Sequence, residues 1–369
     1  MHPRASLRAA LACVLPGAAA LAALTLPCDA AANPGLEGMR NLGLGGASRA
    51  SASGVQAFFA NPAGMSLTRT LAIESDYQAT VERNSHGFGV TAVDSMNSPR
   101  VALGLGYSFL RGYPSIGFEE VGGDGPRELT LTHSTQEVGL GLSILVVKRW
   151  LSIGVKPKYQ SLSLRAGARG GDGVDARRDV IQTQHAFGLD VGATLSILQW
   201  VNVAVVGHNL TGATPPAYTD ETSPDLAPYE VVDGSFDPLY LPRVSDYART
   251  LGHGVAVFPL RSLRLSLNFD GAYDFTSYAD LEHVRKTFAG GGEYVLGKFA
   301  MRIGGGWDGR GPGDADDRGY IAGGFGVIKT AEAGKVGVLA TLGFRRDLTG
   351  PLPETVLGAN FSVLFNPGF

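Results

Sequence analysis

From residue 71 to residue 369, apolar residues alternate with small or polar ones almost without a break. A period of two places every second side chain on the same face, so each stretch reads as a strand with one apolar and one polar face. In 99–110 the odd positions Val101, Leu103, Leu105, Tyr107 and Phe109 are apolar, and Ala102, Gly104, Gly106 and Ser108 lie between them. Segment 151–160 sets Leu151, Ile153, Val155 and Tyr159 against Ser152, Gly154, Lys156, Lys158 and Gln160. In 263–274, Leu263, Leu265, Leu267, Phe269 and Tyr273 oppose Arg264, Ser266, Asn268, Asp270 and Asp274. A soluble β-sandwich alternates too. These stretches run to about ten residues or more, however, where soluble strands average about five or six.

The pattern predicts fourteen strands, centred near residues 76, 90, 105, 140, 157, 190, 205, 252, 269, 290, 302, 324, 340 and 360. Connections after the even-numbered strands are short, at 94–99, 148–150, 199–200, 259–262, 297–298 and 331–334. Those after odd-numbered strands include the long stretches 111–131, 165–180 and 212–245. An even strand count with short turns at one end and long loops at the other is the outer-membrane barrel pattern. The three tryptophans, Trp150, Trp200 and Trp307, fall at strand ends, where an aromatic girdle meets lipid headgroups. The last strand carries Leu357, Ala359, Phe361, Val363 and Phe365, and Phe369 ends the chain. Such an ending is expected to be recognised by the barrel-assembly machinery, although Pro367 departs from the common form.

Residues 1–32 read as a secretory signal peptide: Arg4 and Arg8 precede an apolar run from Ala9 to Leu26, and Ala30-Ala31-Ala32 supplies a cleavage site before Asn33. Cys13 and Cys28, the two cysteines of the sequence, both fall within it. The mature chain then has no disulfide framework, thiolate nucleophile or cysteine metal site. Beyond residue 32 no apolar run approaches the ~18 residues of a helical membrane span. Among exported chains without such a span, one that lives in a membrane closes a barrel. With 31 basic and 34 acidic side chains, there is no electrostatic footprint for nucleic acid.

Residues 33–70 differ in character from the strand region. Gly35, Gly38, Gly43, Gly45, Gly46 and Gly54 are mixed with Ala and Ser, and no alternating run appears. Small residues permit close backbone packing in a confined space, so this segment reads as a plug in the lumen and 71–369 as the barrel. In Asn61-Pro62-Ala63-Gly64, Pro62 fixes φ, Asn61 bonds nearby backbone and Gly64 is free to take positive φ, which predicts a tight turn.

The stretch Gly38-Met39-Arg40-Asn41-Leu42-Gly43-Leu44-Gly45-Gly46-Ala47, with Phe58-Phe59-Ala60-Asn61-Pro62-Ala63-Gly64-Met65 after it, resembles the N-terminal hatch of FadL- and TodX-like outer-membrane transporters. The related PorV-type barrels share it. The resemblance implies an all-β fold: a 14-stranded antiparallel transmembrane β-barrel with an N-terminal luminal hatch. In that hatch the Asn61-Pro62-Ala63-Gly64 motif packs against the barrel wall just before the first strand. Gly43, Gly45, Gly46, Phe58 and Phe59 are the expected packing residues. FadL-type proteins take up long-chain fatty acids or aromatic hydrocarbons; the resemblance carries no substrate-binding residue over to this chain.

Enzyme motifs are missing from the sequence. There is no Gly-x-Ser-x-Gly elbow and no His-Glu-x-x-His, and Phe299 stands where a phosphate loop beginning at Gly292 needs Ser or Thr. No cofactor or metal is expected, although Asp308, Asp314, Asp316 and Asp317 offer oxygen ligands of the kind calcium takes. Inward charges at Lys156, Lys158, Asp190, Arg264, Asp270, Glu293, Arg302 and Arg345 are placed to pair across the lumen and fix the plug. The 212–245 loop holds six prolines, six acidic residues and the aromatics Tyr218, Tyr229, Phe236 and Tyr240, as an external lid or docking surface would. The expected function is passive uptake of long-chain fatty acids or other small hydrophobic compounds across a Gram-negative outer membrane. The alternative is a PorV-type barrel that docks a secreted protein or secretion-system partner and transports nothing. A greasy lumen favours the first and a polar lumen the second.

Overall fold

The computed structural model describes residues 36–365, apart from 83, 113–114, 119–126, 149, 170–178, 198–199, 212–247, 260–263, 277–281, 310–316, 330–335 and 351–352. The signal peptide, the aromatic loop residues Tyr218, Tyr229, Phe236 and Tyr240, and the terminal Phe369 lie outside these residues.

Among the described residues, fifteen antiparallel strands form one sheet: β1 (Leu71–Thr80), β2 (Ser85–Asp94), β3 (Val101–Gly112), β4 (Ser115–Phe118), β5 (Arg127–Val147), β6 (Leu151–Arg169), β7 (Asp179–Ile197), β8 (Val201–His208), β9 (Thr250–Val257), β10 (Leu265–Asp274), β11 (Arg285–Leu296), β12 (Phe299–Asp308), β13 (Arg318–Lys329), β14 (Val336–Asp347) and β15 (Thr355–Phe365). Fourteen of them make a closed ring. First and last strands pair from Leu71↔Phe365 to Thr80↔Val356, and β3 pairs directly with β5. The short β4, which the alternation does not reveal, pairs only with the far end of β5 and stands outside the ring. Closure satisfies backbone groups that an open edge would leave bare in lipid.

The faces follow the alternation. Along β3, Ala102, Gly104, Gly106 and Ser108 are buried, while Leu103 and Leu105 are 60% and 55% exposed. Ile303, Leu342, Phe269 and Phe187 are likewise exposed around the ring. An outer apolar band over an inner face of glycine and polar groups is how a barrel meets hydrocarbon. No helix among the described residues is long and apolar enough to cross a membrane.

Six connections at one end span two to seven residues, and those at the other end reach 41. Gly297, at φ 62, makes the two-residue turn between β11 and β12 possible. Trp150 and Trp200 lie at the short-turn end and Trp307 near the long-loop end, each more than a third exposed. Strands β5, β6 and β7 have 21, 19 and 19 residues, about twice what a tilted crossing needs, and extend past the ring at the long-loop end.

Candidate functional site

Residues 36–70 touch the inner faces of strands all around the ring, which places them inside it. They form a helix at Met39–Gly43, a 3-10 turn at Gly54–Gln56, a short helix at Ala57–Ala60 and a 3-10 helix at Pro62–Leu67. On the β11–β14 side, main chain lies on main chain, and at β15 the Met39 side chain lies over Gly358. A Cβ on Gly43 would lie 3.2 Å from the Cα of Gly324, and one on Gly304 would overlap the Leu44 carbonyl. Gly45 has φ 66, and a Cβ there would also sit 2.6 Å from the Gly305 nitrogen, so neither conformation nor space admits a side chain. Its carbonyl accepts a 2.9 Å hydrogen bond from the Tyr320 hydroxyl. Gly46, at φ 91, faces Tyr320 and Ala289.

On the β3 and β5 side, side chains fill holes left by glycine. Phe58, fully buried, lies over Gly104, Gly106 and Gly139, and Met65 over Gly104 and Gly141. Phe59 meets Phe58 edge-on at 5.2 Å and stays partly open to the lumen. The Lys156 ammonium lies 5.0 and 5.2 Å from the two rings, within cation–π range. Asn61 is the hub of this side. Its side-chain oxygen accepts from the Ala63 N–H at 3.1 Å, and its amide donates to Thr194 Oγ1 at 2.8 Å and to the Arg49 carbonyl at 3.0 Å. At β6 the Pro62–Ala63 main chain packs on Gly154, and the Ala63 carbonyl accepts from the Ser143 hydroxyl at 2.9 Å.

The expected tight turn is instead a 3-10 helix that Asn61 caps and Pro62 opens. Gly64 is not in the left-handed region. A Cβ there would crowd the Ala52 carbonyl and lie 2.8 Å from the Ala57 Cβ, so its requirement is close packing.

Ion pairs join the segment to the wall, and sequence reasoning names only the wall partners. Glu293 takes Arg40 at 2.9 Å and Arg302 at 2.6 Å. Asp270 takes Arg49 at 3.3 Å and accepts from the Ser48 and Arg49 N–H groups. Arg345 meets Glu37 at 2.7 Å. Lys156 and Lys158 pair with Glu137 and Asp190 within the wall at 2.9 to 3.3 Å. Arg264 is the exception: it sits exposed at the turn before β10. The Gly/Ala/Ser background of the segment masks Glu37, Arg40 and Arg49, the three charges that signal these contacts.

Toward the long-loop end the segment floors a cleft. Its floor includes Leu36, Ala52, Phe59 and Ala60, and its walls include Lys156, His208, Asp270 and Arg345. The walls are polar, against the greasy pocket that hydrophobic uptake predicts. No group of three His, Cys, Asp or Glu side chains converges among the described residues, and Asp308 is held by Arg285 at 2.6 Å. At the rim, slight burial raises the Glu82 carboxyl, but hydrogen bonds from the Thr355 N–H and hydroxyl outweigh it and bring its pKa to about 2.

Solved structures share this architecture over most of the chain. The CymD monoaromatic hydrocarbon channel matches with TM-score 0.59 at 13% identity, over 90% of this chain and 98% of its own. The Ralstonia pickettii toluene transporter TbuX matches at 0.58 and 13%, over 90% and 99%. A Pseudomonas aeruginosa FadL homologue matches at 0.54 and 14%, over 93% and 99%. The barrel has the fold of the FadL and TodX channels. At these identities the likeness is one of fold. No protein-family model matches the sequence, and no curated protein matches it significantly.

Proposed function

We propose that the protein is a passive outer-membrane uptake channel for small hydrophobic compounds, long-chain fatty acids or aromatic hydrocarbons among them, with residues 33–70 as its hatch. The observation that carries this reading is the inner segment, which reaches wall strands all around the ring in a fold shared with hydrophobic-compound channels. Such a segment blocks free diffusion while remaining displaceable, because it joins no strand ladder and is held by packing, hydrogen bonds and ion pairs. Phe59 and Leu36 give the cleft floor an apolar face for a ligand body, and the wall charges give it a polar surround.

The test replaces Asn61-Pro62-Ala63 with three glycines. This removes the φ restriction and the side-chain bonds and adds chain entropy that favours the undocked state. The variant is expected to keep its strand content and insert, while planar-bilayer recordings show new or larger conductance and uptake of a hydrophobic substrate falls. Conductance equal to the wild type would show that the segment does not gate the lumen. The polar cleft walls favour a second reading, a barrel that docks a partner through its outer loops. Unchanged uptake in a variant with raised conductance would favour that reading.

A further inference from the structure

The two ends of the barrel handle charge differently. At the long-loop end three of the described basic groups are matched: Arg285 with Asp308 at 2.6 Å, Arg318 with Asp347 and Glu354 at 2.9 and 2.6 Å, and Arg346 with Glu82. At the short-turn end Arg69, Arg100, Lys148, Arg264, Lys298 and Lys329 are all exposed. Among the described residues none of these six is in an ion pair, and the acidic group at that end is Asp94, bonded to the Met96 N–H and the Asn97 amide.

We infer that this end carries a basic collar that binds the headgroups of anionic phospholipids in the adjoining leaflet. The six cations sit beside β1, β3, β5, β10, β12 and β13, spread around the ring as a collar, not gathered into the single arc that one protein partner would cover. Directly beside them, toward the bilayer, Val147, Trp150, Leu296, Phe299 and Val336 are exposed on the outer face. That pairing of an apolar or aromatic belt with Lys and Arg just beyond it fits acyl chain and phosphate at successive depths. Each cation near a membrane surface adds attraction to anionic lipid, and the addition disappears within a Debye length as salt rises.

Tryptophan quenching in vesicles tests this, because the reporters divide between the ends. The W307F variant reports from Trp150 and Trp200 beside the collar, and the W150F/W200F variant reports from Trp307 at the other end. Vesicles of phosphatidylethanolamine carry a minor fraction of brominated phosphatidylglycerol or, separately, brominated phosphatidylethanolamine. Quenching of Trp150 and Trp200 by the anionic lipid is expected to exceed quenching by the zwitterionic one by ~2-fold or more, and to lose that excess in ~1 M salt. Trp307 is expected to show no excess. The R100Q/K148Q/K298Q/K329Q variant is expected to equalise the two lipids at Trp150 and Trp200. Equal quenching by both lipids in the unsubstituted collar, or the same excess at Trp307, would overturn the proposal. Quenching by neither lipid would instead deny that the barrel lies in a bilayer, and so would strike the functional reading itself.

Discussion

The N-terminal segment meets the barrel wall in two ways, on opposite sides of the ring. Against β11–β14 its backbone lies on glycine backbone, with the Met39 side chain over Gly358 at β15, and the ion-pair anchors are Arg40 with Glu293 and Glu37 with Arg345. Against β3 and β5 its side chains enter glycine-floored holes, while at β6 the Pro62–Ala63 main chain lies on Gly154; the hydrogen-bond anchors on this side are neutral, Asn61 with Thr194 and Ser143 with the Ala63 carbonyl. A flexible side chain in a hole yields to a new neighbour by changing rotamer. A main chain on a main chain has no such freedom. The first side is therefore the stricter in shape and the more exposed to charge and salt. The second depends on volume and on a few hydrogen bonds.

The largest expected effect is on the charged side. Glu293→Ala leaves Arg40 and Arg302 facing each other without their shared carboxylate. Removing one partner of a buried pair costs about 3–5 kcal/mol. Amide hydrogen exchange across 36–46 is expected to show that loss as easier local opening, while the barrel keeps its heat-resistant mobility on a gel. Unchanged protection would mean the pair does not hold the segment.

Next comes the same small change made on each side. Gly304→Ala drives a Cβ into the Leu44 carbonyl, and Gly106→Ala drives one into the Phe58 ring. Overpacking costs about 1–3 kcal/mol. Gly304→Ala is expected near the top of that range and Gly106→Ala near the bottom, both read from exchange in 36–66. Equal costs would erase the distinction between the two contacts. Asn61→Ala is smaller, about 0.5–2 kcal/mol for a lost helix cap, and its effect is expected over 57–67 with 39–46 protected as before.

These contacts differ in how far they can be read from sequence. Strand faces and the fourteen-strand ring are legible because alternation is local: Leu105 and Gly106 announce opposite faces without knowledge of any partner. That Asn61 and Phe58 face the wall enters through a family resemblance, since Asn-Pro alone marks many turns. The partners themselves are not legible. Arg40 and Glu293 are 253 residues apart, and nothing near either selects the other. Only ring closure brings β11 and β12 to the Met39–Gly43 helix. Gly64 shows the limit from another direction: its backbone is ordinary, and the Ala52 carbonyl that excludes a side chain lies twelve residues earlier.

Salt gives the smallest effect and the cleanest separation of the two sides. Screening acts on pairs that water reaches, and the Glu37–Arg345 pair is open to it, with side chains 18% and 19% exposed. The Arg40–Glu293 pair is more enclosed, and Asn61, Phe58 and Met65 carry no charge. Partly exposed pairs are worth about 0–1 kcal/mol. Raising salt from ~0.05 M to ~1 M is therefore expected to loosen residues 36–39 by less than about 1 kcal/mol. Exchange in 57–66 is expected not to move, because hydrophobic burial is not weakened by screening. Arg345→Gln should abolish the salt response at 36–39 while leaving its low-salt value close to that of the wild type at high salt. If the response instead appeared at 57–66, the neutral side would be coupled to the charged one through the Asn61–Arg49 bond, and the segment would open as a single unit.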